Sequence, residues 1–492
     1  MAALLTGSLT LWTTRRTRRA IQRRINRSVL RAVHQFRVRL DRYKLVRRRA
    51  VRDALLADAE VLEAIEQHVR EQGSTLADGR ARVERYVDEI IPYFNVLSYY
   101  RLGYNFARLV ISVLYRADYN YVDEDRLKNI PRDHVVVYLM NHRSNADYVV
   151  VAYVLAKAVS ISYAVGEWAR VWPLEYVFKS FGAYFIRRGF RDPLYHTVLR
   201  RYVQHITRHG ITQGIFLEGG LSRDGAFRPA KAGLLDYIAR TLPEFRPDQD
   251  IHLVPVALNY DRVLEDRTLI HELLEREVRP GRLRQLSTVV QYMLFNLGRL
   301  VTGNLKRYGR VHVTFGAPAS LREWVDAHNG VLKLDKAERL PVMQALADNV
   351  MQEIARIIPV TPVPLVAAAL LSFEETVVGR GALLERIDEF RDDLMARGAN
   401  LVQPERGAEA ILDRAWRMLS MRRLVIRQGG AYVMLPRQRP LLHYYANSVR
   451  HLLPDVELVA SMHPAREPDA TLPRLKRWSA ARRKAAPDRP DS

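Results

Sequence analysis

The sequence predicts an α/β core, a mixed and mainly parallel sheet flanked by helices, set between helical N- and C-terminal regions. Three observations predict it. Short β-branched runs alternate with helical stretches from His134 to Phe315, and such runs read as strands buried on both faces. Outside that stretch, apolar residues recur at helical spacing. The chain has 492 residues, 48% of them hydrophobic, so a sizeable core can form and more than one small domain is expected.

The N-terminal region is basic. Ile21, Ile25, Val29, Val33, Phe36 and Leu40 fall on one helix face. Residues 1–50 carry fifteen Lys and Arg against Asp41 alone. A basic amphipathic helix suits an anionic membrane surface, worth roughly 1 kcal/mol per basic residue near it. A solvated basic face on its own domain, or a nucleic-acid stripe, are the alternatives. A more acidic helix follows from Val51 to about Gln72, then a polar break at Gly73-Ser74-Thr75 and another helix. Residues 91–121 are rich in Tyr and Phe with sparse charge. That composition suits a membrane headgroup region or a helix pair packed on the next domain.

The core elements follow in order. Val135 to Met140 reads as a buried strand and Val149 to Ala158 as a helix. Ser160 to Val165 and Ala183 to Ile186 read as strands, Leu199 to His209 as a helix, Gly214 to Leu217 as a strand, Gly233 to Leu242 as a helix. His252 to Leu258 and Val311 to Phe315 complete the strands, with a helix expected from Leu286 to Val301 between them. Strands separated by helices predict a mainly parallel sheet covered on both faces.

C-terminal to this, helices are expected from Leu340 to Ile357, with Pro341 in the first turn, and from Gly381 to Arg397. Residues 407–460 read as helices with a hairpin around Leu424 to Met434. His463 to Ser492 reads as a disordered tail. The chain thus divides into residues 1–129, 130–325, 326–462 and 463–492.

Composition excludes several classes. The absence of cysteine rules out a disulfide framework, a thiolate metal site, an iron–sulfur cluster and a cysteine nucleophile. The net charge of +23 comes from 77 Lys and Arg against 54 Asp and Glu, and it attracts nucleic acid, anionic lipid or phosphorylated substrates. The longest uncharged run, Ile357 to Phe373, holds 17 residues and three prolines, too short and broken for a convincing span. Met1 to Trp12 precedes its arginines, the reverse of a signal peptide.

One segment differs from its surroundings. Asn141-His142-Arg143-Ser144-Asn145-Ala146-Asp147 follows the first strand, beyond whose carboxyl end ligands bind in open α/β sheets. A turn entering a helix can bring the Asp147 carboxylate onto the His142 ring. That fixes the tautomer and leaves the other nitrogen to accept a proton. Among the 14 histidines, His142 alone has an aspartate five residues on. Three further blocks follow. Gly182 to Arg191 carries Arg187, Arg188 and Arg191 at the end of a short strand, placed for a phosphate. Phe216-Leu217-Glu218-Gly219-Gly220-Leu221-Ser222-Arg223-Asp224-Gly225 runs a strand into a glycine turn, with Lys231 and Gly233 beyond. Such a turn lets backbone N–H groups approach an anion. Val254 to Tyr260 is a strand with Pro255 near its start.

These four blocks, in this order, resemble the glycerol-phosphate acyltransferase superfamily, and above all its bacterial membrane-bound glycerol-3-phosphate and dihydroxyacetone phosphate acyltransferases. The resemblance covers roughly residues 130–320 and extends more weakly through Pro359 to Leu371 and Leu442 to Ser448. It implies that His142 is the general base and Asp147 its orienting carboxylate. It implies that Arg187 and Arg188 lie in a block that binds glycerol phosphate. Glu218, Gly219, Gly220, Ser222 and Arg223, with Lys231, belong to a third block also tied to the acceptor, and Pro255 to a block tied to the acyl donor. It implies glycerol 3-phosphate as acceptor, acyl-CoA or acyl carrier protein as donor, and no metal or other cofactor. It also implies a peripheral or monotopic place on the cytoplasmic face of the cell membrane.

Leu221 stands where this family often has an arginine. Either Arg188, Arg191, Arg223 or Lys231 supplies that charge, or the acceptor is another one, such as dihydroxyacetone phosphate or a lysophospholipid. Backbone N–H groups around Gly219 and Gly220 are candidate oxyanion donors. A nucleic-acid-binding protein is the remote alternative, but no recognition motif accompanies the basic segment. A serine hydrolase is disfavoured because Ser222 sits in Gly-x-Ser-x-x-Gly, without the nucleophile elbow.

Overall fold

A computed structural model describes residues 48–92, 107–108, 111–112, 114–155, 161–166, 179, 182–187, 189–274, 308–328, 330–421 and 423–458. The basic helix expected before residue 48, the helix from Leu286 to Val301, Arg188 and the tail after residue 458 lie outside the described residues. So does most of the aromatic stretch from 93 to 113.

Three helices come first: α1 (Arg48–Leu56), α2 (Ala59–Gln72) and α3 (Leu76–Ile90). The sequence predicts one helix from Val51 to about Gln72, where α1 and α2 stand. Asp58 breaks it, because its side chain accepts the Glu60 and Val61 N–H groups and starts a new helix. Gly73 ends α2 at φ 64°, and Thr75 with Asp78 forms a capping box for α3.

The main sheet holds β1 (Arg116–Tyr121), β2 (Val135–Met140), β3 (Ser162–Gly166), β4 (Tyr184–Ile186), β5 (Gln213–Phe216), β6 (Ile251–Tyr260), β7 (Arg310–Phe315) and β8 (Ala319–Ser320). Its order is β1-β7-β6-β2-β5-β3-β4, with β8 on β6. Pairing is parallel except where β7 and β8 run against β6. β1 corrects part of the helix-pair alternative for residues 91–121, because the last six of them form a strand. It is an edge strand, Arg-Ala-Asp-Tyr-Asn-Tyr, parallel to β7.

Helices α4 (Asp147–Leu155), α5 (Pro193–Arg208), α6 (Gly233–Ala239), α7 (Lys336–Arg356), α8 (Pro362–Leu371), α9 (Arg380–Ala396), α10 (Ala408–Met421) and α11 (Arg439–Asn447) complete the layers. α5 begins earlier than expected because Asp192 caps it and Pro193 occupies its first turn. α7 likewise begins at Lys336 under the Asp335 cap, which leaves Pro341 inside the helix rather than in its first turn.

Strand alternation sorts the core into two faces. Val135, Val137 and Leu139 face one cluster with α1–α3, α5, α6 and α7. Val136, Tyr138 and Met140 face the other, with α4 and α8–α11. β2 is buried at every residue because both faces are covered. Ten residues of the 17-residue apolar run form α8, every one of them buried. It is a core helix against which α10 and α11 pack, and the second cluster continues from the sheet into these C-terminal helices. Beside them Val377–Gly379, Val425–Gln428 and Ala431–Met434 form a small antiparallel sheet. Its hairpin turns through Gly429 and Gly430, both at positive φ. No helix among the described residues is long and apolar enough to cross a membrane.

Candidate active site

The site forms where β2, β5 and β6 end. Asn141, the first residue past β2, locks to β6 through both ends of its amide. Its Nδ2 donates to the Leu258 carbonyl at 3.0 Å and its Oδ1 accepts the Leu258 N–H at 2.8 Å. His142 comes next, buried, its ring stacked on Phe216 with centroids 4.1 Å apart. Asp147 opens α4 and turns its carboxylate back over the loop. Its Oδ2 lies 2.9 Å from His142 Nδ1 and accepts the N–H groups of Arg143 at 2.7 Å and Ser144 at 3.0 Å. Its Oδ1 accepts the hydroxyl of Tyr260 from the end of β6. A carboxylate only accepts, so the proton on this side of the imidazole sits on Nδ1.

Glu218 binds the His142 turn to the third block. Its Oε1 accepts the His142 N–H at 2.9 Å and its Oε2 the Arg228 N–H at 3.1 Å. Burial raises its pKa to about 7, although Arg143 and these two backbone donors oppose the rise. Ser222 N–H donates to the His142 carbonyl at 3.1 Å. The Ser222 hydroxyl donates to the Ala226 carbonyl at 2.6 Å, so both groups hold the loop together. Gly219 turns at φ 61°, and a Cβ there would meet Lys231 Cδ at 2.7 Å. The Gly219 N–H donates to the Phe216 carbonyl at 3.0 Å. It closes the turn and is not turned outward as an oxyanion donor, a correction to the expectation for that group. Gly220 is buried, whereas Arg223, Arg228 and Lys231 are exposed on the same loop. The Arg228 guanidinium donates to the carbonyl of Leu221 at 3.2 Å. It thereby brings a cation to the position where the sequence left an apolar residue.

Arg187 sits at the end of β4, which is separated from β2 by β5 and β3. Its fork is filled from α3: Nε and Nη2 donate to Glu89 Oε1 and Oε2 at 2.8 and 2.6 Å. Tyr86, Phe190 and Tyr195 surround the guanidinium, which lies 4.7 Å from the Phe190 ring centre. The pair with Glu89 raises its pKa further. Pro255 lies within β6, paired with Leu139 of β2. Its carbonyl accepts the Gly316 N–H at 2.8 Å, so its missing N–H falls on that same side. There β7 pairing begins only at Val256 and β8 pairing ends at Leu253. The proline therefore costs no ladder bond.

Sequence reasoning passed over several residues. Arg143 is buried, its Nη1 donating to the Gly225 carbonyl and its guanidinium 4.7 Å from the Phe227 ring centre. Tyr444 of α11 donates to the Arg143 carbonyl at 3.4 Å. A Cβ on Gly225 would stand 1.8 Å from the Tyr444 carbonyl oxygen, so the C-terminal helices close directly on the third block. Glu265, past β6, accepts the Ser144 hydroxyl at 2.7 Å and the Asn145 N–H at 3.2 Å. The available signal was Arg143 beside the histidine. Among the described residues no group of three or more His, Asp or Glu is arranged to hold a metal ion.

Two family models match the chain: the acyltransferase family over residues 122–259, and the glycerol-3-phosphate acyltransferase C-terminal region over residues 294–481. The first spans the first three blocks and the fourth as far as Asn259. The chain thus carries an acyltransferase domain and, C-terminal to it, a glycerol-3-phosphate acyltransferase C-terminal region. A glycerol-3-phosphate acyltransferase of Aeromonas hydrophila is 30% identical over 436 residues, which are 85% of this chain and 52% of that protein. One of Actinobacillus succinogenes is 28% identical over 448 residues, 87% of this chain and 53% of that protein. The chain thus spans about half the length of the curated relatives it matches. A solved 1-acyl-sn-glycerophosphate (LPA) acyltransferase, PlsC, from Thermotoga maritima is 15% identical with a TM-score of 0.31, over 52% of this chain and 80% of that one. That likeness is too slight for a comparison of sites. In this chain the first, third and fourth blocks meet around the buried histidine–aspartate pair, whereas Arg187 of the second block stands at β4, beyond β5 and β3.

Proposed function

We propose that this chain transfers a fatty acyl group from a thioester donor, acyl-CoA or acyl carrier protein, to the sn-1 hydroxyl of glycerol 3-phosphate. The product is lysophosphatidate. The observation that carries the reading is the buried His142–Asp147 pair at the carboxyl end of β2, with Nδ1 held 2.9 Å from the carboxylate. Its Nε2 takes the proton of the acceptor hydroxyl as that oxygen attacks the acyl carbonyl. Such proton transfer contributes roughly 10²–10⁴-fold. Asp147 holds the ring and stabilises the imidazolium. When the tetrahedral intermediate collapses, the carbon–sulfur bond breaks and the thiolate regains the proton from Nε2. No acyl-enzyme forms, and no metal or redox cofactor takes part.

Arg223, Arg228 and Lys231, exposed on the third block, supply the field that receives the phosphate. The matched relatives carry the name of this activity. The basic segment before residue 50 supports a peripheral place on an anionic membrane surface, on the cytoplasmic face. The test is acyl transfer in anionic phospholipid vesicles, with labelled glycerol 3-phosphate, a long-chain acyl-CoA, and His142→Ala in parallel. Labelled lysophosphatidate from the wild type alone supports the reading. Equal turnover by a folded His142→Ala protein overturns it. Dihydroxyacetone phosphate and a lysophospholipid, run as competing acceptors, test the second reading that Leu221 keeps open.

A further inference from the structure

We propose that the fourth block serves the base: the Tyr260 hydroxyl is a positioning group that holds Asp147 against His142, and Glu265 secures the same turn from its other side. The inference rests on the reading of His142 as the proton acceptor.

The geometry comes from strand length. β2 ends at Met140, which pairs with Val256, whereas β6 continues to Tyr260. The extra residues of β6 rise beside the His142 turn. Asp147 Oδ2 is already shared by His142 Nδ1 and the Arg143 and Ser144 N–H groups. Among the described residues Tyr260 is the only donor to Oδ1. The phenol is itself fixed. Its ring is buried and packs edge-on against Tyr115 at 5.3 Å. The Tyr115 hydroxyl donates to the Arg262 carbonyl at 2.8 Å. The Tyr260 backbone is held by the Asn259 side chain at 3.0 Å and by Thr361 at 3.2 Å. Glu265, five residues on, grips Ser144 and Asn145, inside the loop that joins base to carboxylate. One segment therefore holds the pair at two points.

The physical need is clear. A buried carboxylate oxygen without a donor loses its solvation and gains nothing in return. With both oxygens bound, the carboxylate plane cannot turn, and the imidazole keeps one tautomer. The described charged and titratable groups facing the pair are few. Arg143 and Tyr148 come from its own loop and helix, Glu218 from the loop after β5, Tyr444 from α11, and Tyr260 and Glu265 from the fourth block. Of these, Glu218 and Glu265 can add negative charge. Tyr260, with a pKa raised well above its ordinary value by burial and by Asp147, stays a neutral donor.

Two substitutions should push the base in opposite directions. Tyr260→Phe removes the donor and leaves the Asp147 charge less balanced, so imidazolium is favoured and the His142 pKa rises. Glu265→Gln removes a charge that favours imidazolium, so the His142 pKa falls. The acid limb of kcat/KM should move to higher pH in the first and lower pH in the second. For Tyr260→Phe, kcat should fall on the order of 10- to 100-fold, the rate equivalent of one hydrogen bond to a charged group. KM for glycerol 3-phosphate should stay within about twofold.

The imidazole titration should be followed directly by NMR of the full chain labelled at the histidine ring nitrogens. His142→Gln assigns the signal. Opposed shifts support the proposal. Unchanged kcat and titration in Tyr260→Phe, or shifts of one sign in both variants, overturn it. If Tyr260→Phe does not fold, Glu265→Gln decides alone: a lower His142 pKa supports, an unchanged one overturns. If the wild type transfers no acyl group, the reading of the site fails, but the titration still decides what Tyr260 does.

Discussion

Two sides of the sheet edge are built in opposite ways. On the side of β2 and β6, His142, Asp147 and Tyr260 are buried and linked through the Asp147 carboxylate, and the half-buried Glu265 holds Ser144 and Asn145 between base and carboxylate. On the side of β5 and β4, Arg223, Arg228 and Lys231 are exposed, and Arg187 is matched by Glu89. The first side is fixed before any substrate arrives, which suits a group that must move one proton along one direction. The second is a field of adjustable cations, which suits an anion that must enter and leave. The difference makes an expectation: changes on the buried side should alter kcat, and changes on the exposed side should alter KM.

The largest effect should come from Asp147→Asn. The amide keeps the shape but cannot accept from three donors at Oδ2 and a fourth at Oδ1, and it favours the wrong tautomer of His142. We expect kcat to fall roughly 10³–10⁴-fold, with KM for glycerol 3-phosphate within a few-fold. Steady-state kinetics on protein with wild-type circular dichroism checks it. A change confined to KM would remove the contrast between the two sides.

The buried side was also the more legible in sequence, though not evenly. Val135 to Met140 is apolar throughout because helices cover both faces, and the polar turn after it stood out for that reason. His142 and Asp147 are close in sequence, so one turn brings them together. Tyr260 and Glu265 gave no such signal, because their partners lie more than a hundred residues away and a tyrosine ending a strand looks like any other. β1 went unread for another reason. As an edge strand it has few buried positions, so no apolar run marks it. The Glu89–Arg187 pair was invisible too, since no local pattern links a helix end to a strand 98 residues on.

The junction between the two sides offers the next effect. Gly225 has φ 82°, and an added Cβ would stand 1.8 Å from the Tyr444 carbonyl. Gly210 has φ 73° with nothing within 4 Å of that Cβ. Gly210→Ala should therefore cost only left-handed strain, on the order of 1 kcal/mol. Gly225→Ala should cost that plus displacement of the loop from α11, about 3 kcal/mol or more. Thermal melts of both variants compare them. If kcat falls only in Gly225→Ala, the C-terminal helices hold the third block in its working position.

A smaller effect is expected on the exposed side. Arg228→Ala and Lys231→Ala should each raise KM for glycerol 3-phosphate about 5- to 20-fold and leave kcat within about twofold. Because these cations are exposed, raising ionic strength should shrink the difference between wild type and variant. Kinetics at two salt concentrations reads this. A fall in kcat instead would mean that the loop serves the base as well as the acceptor.

The smallest effect concerns stability against pH, where the buried side carries two strained acids. Burial raises Glu265 to about 6 and Glu218 to about 7, from 4.5 for the ordinary side chain. In the window above 4.5 the unfolded chain has released these protons and the folded chain still holds them. Stability is therefore full below pH 4.5 and declines as pH rises, to about 6 for Glu265 and about 7 for Glu218. Glu265→Gln removes the first part of that decline and leaves the second. Its amide can still accept the Asn145 N–H and donate to the Ser144 hydroxyl, so the turn survives. Melting temperatures between pH 4.5 and 8 should show the variant gaining on the wild type between 4.5 and 6, by on the order of 2 kcal/mol, and running parallel to it above. Parallel curves throughout would mean that Glu265 is ionised across that range without cost. The buried side would then be less tightly closed than its hydrogen bonds imply.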